Sequence, residues 1–218
     1  GNIVRSTDNG SSFDNVTSGL PAHVSSTLYG VGFGNNTFVA VGYDGNIVRS
    51  TDNGTTWDNA TSPTATHLYR VGFGNNTFVA AGNSGIIVRS TDNGSSWDNV
   101  TSPITTHLYR VAFGNNTFVI VGYDGNIVRS TDNGTTWDNA TSPTATHLYR
   151  VGFGNNTFVA AGNSGIIVRS TDNGSSWDNV TSQITTHLYR VAFGNNTFVV
   201  VGYDGNILRS TDNGTTWD

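Results

Sequence analysis

The sequence predicts an all-β chain of four-stranded antiparallel units arranged as a β-propeller, and three observations predict it. A string NIVRSTDNG, or a close variant, begins at Asn2, Asn46, Ile86, Asn126, Ile166 and Asn206, so the 218 residues repeat about every 40. A second string, LYRVxFGNNTFV, begins at Leu68, Leu108, Leu148 and Leu188, with a variant at Leu28 in which Gly30 stands in place of Arg. Between Gly- and Asn-rich turns the segments are β-branched and aromatic, with no 3.6-residue apolar period, which argues against helices.

One unit shows how each element follows. His67 to Phe73 reads as a first strand with Tyr69, Val71 and Phe73 on one face. Gly74-Asn75-Asn76 supplies the positive φ angles of a hairpin turn. Thr77 to Gly82 (TFVAAG) is a second strand, apolar on both faces and therefore covered on both sides. Asn83-Ser84-Gly85 turns the chain into a third strand, Ile86 to Thr91. Asp92-Asn93-Gly94 turns it again into a fourth, Ser95 to Val100. Pro103 falls in the link to the next unit, where a missing N–H is harmless. Blades stacked radially cover one another's faces, whereas the coils of a parallel β-helix are shorter and lack these hairpins. The expected domain is a single propeller. It has a half-blade at 1–18 and five complete blades at about 27–62, 67–102, 107–142, 147–182 and 187–218.

Composition narrows the function. The chain has no Cys, Lys, Glu or Met, and its charge of −5 comes from 15 Asp set against 10 evenly spaced Arg. Without Cys there is no disulfide framework or thiolate metal site. Dispersed positive charge argues against nucleic acid, and no apolar run is long enough for membrane insertion. Gly1 opens the chain and no signal peptide is evident, as in a processed or excised protein. Richness in Thr, Asn, Ser and Gly suits an extracellular or cell-surface setting if the protein is natural.

Ser50-Thr51-Asp52-Asn53-Gly54-Thr55-Thr56-Trp57 fits S-x-D-x-G-x-T-W and resembles the Asp-box of bacterial-neuraminidase repeats. Copies start at Ser90, Ser130, Ser170 and Ser210, with Ser in place of Thr before Trp97 and Trp177; a copy at Ser6 ends in Phe13. The resemblance implies a propeller in which the box forms the turn between the third and fourth strands. Asp8, Asp52, Asp92, Asp132, Asp172 and Asp212 would then cap the turns, and Trp57, Trp97, Trp137, Trp177 and Trp217 would pack beneath. It also raises sialidase activity, which in that family needs three arginines, a Tyr–Glu nucleophile pair and an Asp acid. Glu is absent, and every Arg is a repeat equivalent, either Arg5, Arg49, Arg89, Arg129, Arg169 and Arg209 or Arg70, Arg110, Arg150 and Arg190. Near-identical units offer similar environments, not the divergent pKa values that acid–base catalysis needs. No catalytic residue, metal site or cofactor is expected.

The differences between units are systematic. Residues 45–124 and 125–204 are copies differing at two positions, Pro103 against Gln183 and Ile120 against Val200. This is the signature of recent amplification or of engineered symmetry. Gly72, Ala80 and Ala81 in one half of the double unit become Ala112, Ile120 and Val121 in the other, which predicts compensating volumes between neighbouring blades. The turn after the second strand alternates as well. It reads Tyr43-Asp44, Tyr123-Asp124 and Tyr203-Asp204, but Asn83-Ser84 and Asn163-Ser164. In a propeller this turn shares a face with the inter-blade links that hold His67, His107, His147 and His187. These residues are either turn chemistry or shallow inter-blade pockets for a glycan. The expected function is a non-enzymatic scaffold or interaction module, natural or designed. Its alternatives are a multivalent lectin and an extracellular subunit that self-assembles through the spare half-blade. That half-blade leaves open whether five blades close into a ring, a sixth partial blade forms, or the half docks on another copy.

Overall fold

The computed structural model describes residues 2–20 and 26–218. A hairpin of β1 (Asn2–Arg5) and β2 (Asp14–Thr17) precedes five antiparallel sheets. Blade 1 holds β3 (Leu28–Gly34), β4 (Thr37–Gly42), β5 (Ile47–Ser50) and β6 (Asp58–Ala60). Blade 2 follows with β7 (Leu68–Gly74), β8 (Thr77–Gly82), β9 (Ile87–Ser90) and β10 (Asp98–Val100). Blade 3 has β11 (Leu108–Gly114), β12 (Thr117–Gly122), β13 (Ile127–Ser130) and β14 (Asp138–Ala140). Blade 4 has β15 (Leu148–Gly154), β16 (Thr157–Gly162), β17 (Ile167–Ser170) and β18 (Asp178–Val180). Blade 5 has β19 (Leu188–Gly194), β20 (Thr197–Gly202) and β21 (Ile207–Ser210). Each sheet runs in chain order, and the first strands β3, β7, β11, β15 and β19 pack successively on one another. They are therefore innermost. This is a β-propeller, and no helix is long and apolar enough to cross a membrane among the described residues.

The turns form for the reasons the sequence gives. Asn75 and Asn76 take φ of 45° and 56°, and Ser84 and Gly85 take 53° and 73°, inside a one-turn 3-10 element between β8 and β9. The fourth strand is shorter than expected, Asp98–Val100 rather than Ser95–Val100, because Ser95 and Ser96 donate their N–H groups to Asp92 and belong to the turn. Blade 5 likewise has three strands where four were expected, with the fourth position reduced to Asp218 exchanging backbone bonds with Arg209.

A second correction concerns the first strand. The register slips between Leu68 and Arg70, so Tyr69 is an extra residue opposite β8. A bulge of this kind rotates the side chains on one side of it by a step. Leu68 and Val71 consequently join one cluster with Phe73, while Tyr69 turns away from it. The expected face of Tyr69, Val71 and Phe73 is broken.

The core lies in the joints between blades, where small meets large. Val41 of blade 1 shares a cluster with Ala80 of blade 2, and Ala81 of blade 2 with Ile120 of blade 3. Val121 faces Ala160, and Ala161 faces Val200, so the alternation read from the sequence is complementary packing. Each joint also seats a phenylalanine against a glycine: a Cβ on Gly34, Gly74, Gly114 or Gly154 would lie 2.1 Å from the ring of Phe73, Phe113, Phe153 or Phe193. The array does not close on itself. Gly194 of blade 5 meets nothing within 4 Å, and Phe33 of blade 1 is exposed. The expected ring of five blades is an open arc, with the half-blade seated on blade 1 through Ile3, Val16 and Leu20 against Ala40, Val48 and Trp57.

Candidate functional site

The bulge that breaks alternation in each first strand aims a Tyr-Arg pair toward the middle of the arc. Tyr29, Tyr69, Tyr109, Tyr149 and Tyr189 form a ladder with successive ring centroids 5.9 Å apart. Together with Arg70, Arg150 and Arg190 they line a central cavity of about 370 Å³. Arg70 and Arg110 also reach a larger cleft of about 610 Å³ beside blade 1, bounded by Gly30 and Val31. Gly30 is the position where the other repeats carry Arg. A Cβ there would lie 2.8 Å from the Tyr69 carbonyl and 3.0 Å from Cδ of Arg70, so the neighbouring arginine fills the space of the missing one.

These arginines have no carboxylate partner. Arg70 Nη1 donates to the Tyr69 carbonyl at 2.7 Å and to the Tyr29 carbonyl. Arg150 and Arg190 donate to the Tyr149 and Tyr189 carbonyls, each at 2.9 Å. The ion pairs among the described residues involve none of them. Burial, then repulsion from the other central arginines, lowers the pKa of Arg70 and Arg110 and pulls Arg150 down to about 9. All remain cationic at neutral pH. Burial likewise raises the phenols of Tyr69, Tyr109 and Tyr149. The centre is thus a converging set of uncompensated positive charges and aromatic edges, which is chemistry for holding an anion.

The residues singled out from the sequence lie elsewhere. Tyr43 packs on His67 with centroids 4.1 Å apart, and the Asp44 N–H donates to His67 Nδ1 at 3.0 Å. Tyr123 stacks on His147 at 3.8 Å, with the same bond from Asp124 at 3.0 Å. In the alternate joint Ser84 N–H donates to His107 Nδ1 at 3.2 Å, and the Tyr69 and Tyr149 hydroxyls donate to Asn83 and Asn163. Ser164 repeats the positive φ of Ser84 at 54°. His187 offers its carbonyl to the Tyr203 N–H, and Tyr203 and Asp204 remain exposed on blade 5. Turn and link do share a face, and the structure brings them together as joints between blades.

The Asp-boxes are turns of high hydrogen-bond density. Asp52 accepts from the Thr56 N–H at 2.9 Å, the Thr56 hydroxyl at 2.7 Å and the Ser50 hydroxyl at 2.7 Å. Those bonds, the Thr56 N–H first, hold its pKa at about 2. Ser50 Oγ accepts from Gly54 N–H at 2.9 Å, and Trp57 Nε1 donates to the Gly54 carbonyl at 3.2 Å. The same pattern recurs at Asp92, Asp132, Asp172 and Asp212, over buried Trp97, Trp137, Trp177 and Trp217. Asp8 is bonded alike by Ser6 and Ser12. Among the described residues no three His, Cys, Asp or Glu gather in a metal-binding group.

Residues 90–218 match the model of a family described as photosynthesis system II assembly factor YCF48. The chain belongs to that family. Solved structures extend the likeness at the level of fold. A structure described as YCF48 bound to D1 peptide superposes with a TM-score of 0.77 at 21% identity, over 100% of this chain and 73% of that one. The computationally designed Ika8 protein gives 0.74 at 15%, over 89% and 61%. A GH74 enzyme from Niastella koreensis gives 0.66 at 23%, over 91% and 32%. No curated protein sequence matches the chain.

The Tyr-Arg centre was missed from sequence alone. Its signal was present, since Tyr-Arg recurs at one position in successive first strands and fails at Gly30.

Proposed function

We propose that this propeller is a non-catalytic interaction module that holds an acidic peptide segment, through carboxylates, at its arginine-lined centre. The observation that carries the reading is the convergence of Arg70, Arg110, Arg150 and Arg190, half-buried or at the surface, with no carboxylate paired to any of them. A peptide carboxylate relieves their mutual repulsion and accepts forked hydrogen bonds. The tyrosine ladder adds flat apolar contact beside those charges. Membership of an assembly-factor family agrees with a binding role, and the fold relative solved with D1 peptide agrees with a peptide as the ligand class. The Tyr–His stacks at the joints already engage one another's rings, so the centre is the better-exposed recognition chemistry. No acid–base pair with separated environments accompanies the arginines, which favours binding without turnover.

Fluorescence anisotropy with a labelled acidic peptide tests this. Peptides with free carboxylates are expected to bind, more weakly as salt is raised, while the fully amidated peptide of the same sequence does not. Equal binding of the two forms would remove the proposal.

A further inference from the structure

The joint that repeats four times inside the chain leaves one copy of each half unused, at opposite ends of the arc. Inside, Phe73, Phe113, Phe153 and Phe193 each seat on a glycine of the preceding blade. Phe33 is the same knob without a socket, 53% exposed, and Gly194 is the same socket with nothing within 4 Å. Val31 beside Phe33 is 61% exposed, whereas its equivalents Val71, Val111 and Val151 are buried. On the half-blade, Val4 and Phe13 are 56% and 62% exposed, and on blade 5 Ile207 is 69% exposed. Apart from three tyrosines, these five are the exposed large apolar side chains among the described residues. Such surfaces are a template for association.

The half-blade also duplicates the strand it would have to displace. Gly1 to Gly10 and Gly205 to Gly214 differ at one position, Val4 against Leu208. β20 pairs with β21 through Val200↔Leu208 and Val201↔Ile207, so β1 offers β20 a near-identical partner. It brings β2 as well, a fourth strand that blade 5 lacks here.

We propose that the β1–β2 hairpin of a second copy of this chain replaces residues 207–218 on β20 and completes blade 5. Four exposed groups are then covered together. Val4 takes the place of Leu208 and Phe13 that of Trp217, both facing blade 4. Val31 and Phe33 of the incoming blade 1 settle on Ala192 and Gly194. The occupant is a second copy because the matching surface is the chain's own joint. It is not the same molecule, because the arc holds its two ends apart, and closing it would require every joint to tighten. A second copy adds at the existing curvature. The contact is head-to-tail, so it propagates into a ring or a filament.

The chain has no cysteine, which makes cross-linking clean. A Val4→Cys chain is mixed with an affinity-tagged Val200→Cys chain and oxidised. The expected product is a mixed disulfide between the two chains. Light scattering of the unmodified chain is expected to give at least twice the chain mass, returning to one chain mass in Phe33→Asp. A single chain mass over a wide concentration range, or a Val4→Cys, Val200→Cys double variant that links only within itself, would overturn the proposal.

Discussion

Two sets of arginines sit at fixed positions in the repeat and meet opposite fates. Arg89 and Arg129, on third strands, cross the joint and donate to the Asn133 and Asn173 carbonyls of the next blade at 3.2 and 3.3 Å. Arg209, with no next blade, turns back to Asp218 at 3.0 Å. Arg70, Arg110, Arg150 and Arg190, on first strands, gather in the middle and lower one another's pKa. A radial array explains the difference. Equivalent groups near the axis are brought toward each other, whereas those farther out can reach only the adjacent blade. The same residue type therefore staples the fold at one radius and creates an unbalanced charge at another.

The comparison breaks most sharply in binding. Replacing Arg110 and Arg150 together with Gln is expected to weaken acidic-peptide affinity by at least about tenfold, roughly 1.4 kcal/mol. The outer pair Arg89→Gln with Arg169→Gln should leave it unchanged by anisotropy. Stability should move the other way. Arg89→Gln loses a cross-joint bond and is expected to cost about 0.5–1.5 kcal/mol in urea unfolding. Arg110→Gln removes a repelling charge and should leave the unliganded protein at least as stable.

Alkaline pH sharpens the contrast further. The folded pKa of Arg150 lies below its unfolded value, at about 9. Its charge opposes folding below that pH, and the penalty is relieved as pH rises through about 9. Peptide affinity should fall over the same window, and Arg150→Gln should remove that step from a pH titration. The smallest contrast is expected in acid. Asp8, held first by the Ser12 hydroxyl, and Asp52, held first by the Thr56 N–H, both titrate near 2. Because these folded values lie below the unfolded one, the boxes stabilise fully above about pH 4 and lose that contribution as pH falls toward 2. Carboxylate NMR should find the two alike, although Phe13 is exposed and Trp57 is buried.

Much of the fold was legible because its signals are local. Asn93-Gly94 and Asn75-Asn76 demand positive φ wherever they occur, and Thr77 to Gly82 is apolar on both faces only because it is covered on both. The pairing of Ala81 with Ile120 was readable as a volume exchange. The centre was not legible, because strand alternation assumes an unbroken phase and one extra residue at Tyr69 shifts it. Nor does the sequence reveal that Tyr43 and Tyr123 stack on histidines 24 residues away, since that contact exists only once two blades are side by side.

Arginine footprinting with phenylglyoxal, read by mass spectrometry with and without acidic peptide, tests the central claim most directly. The account predicts protection of the arginines in Leu-Tyr-Arg and none in Ile-Val-Arg. Protection confined to the Ile-Val-Arg set, or none at saturating peptide, would contradict it.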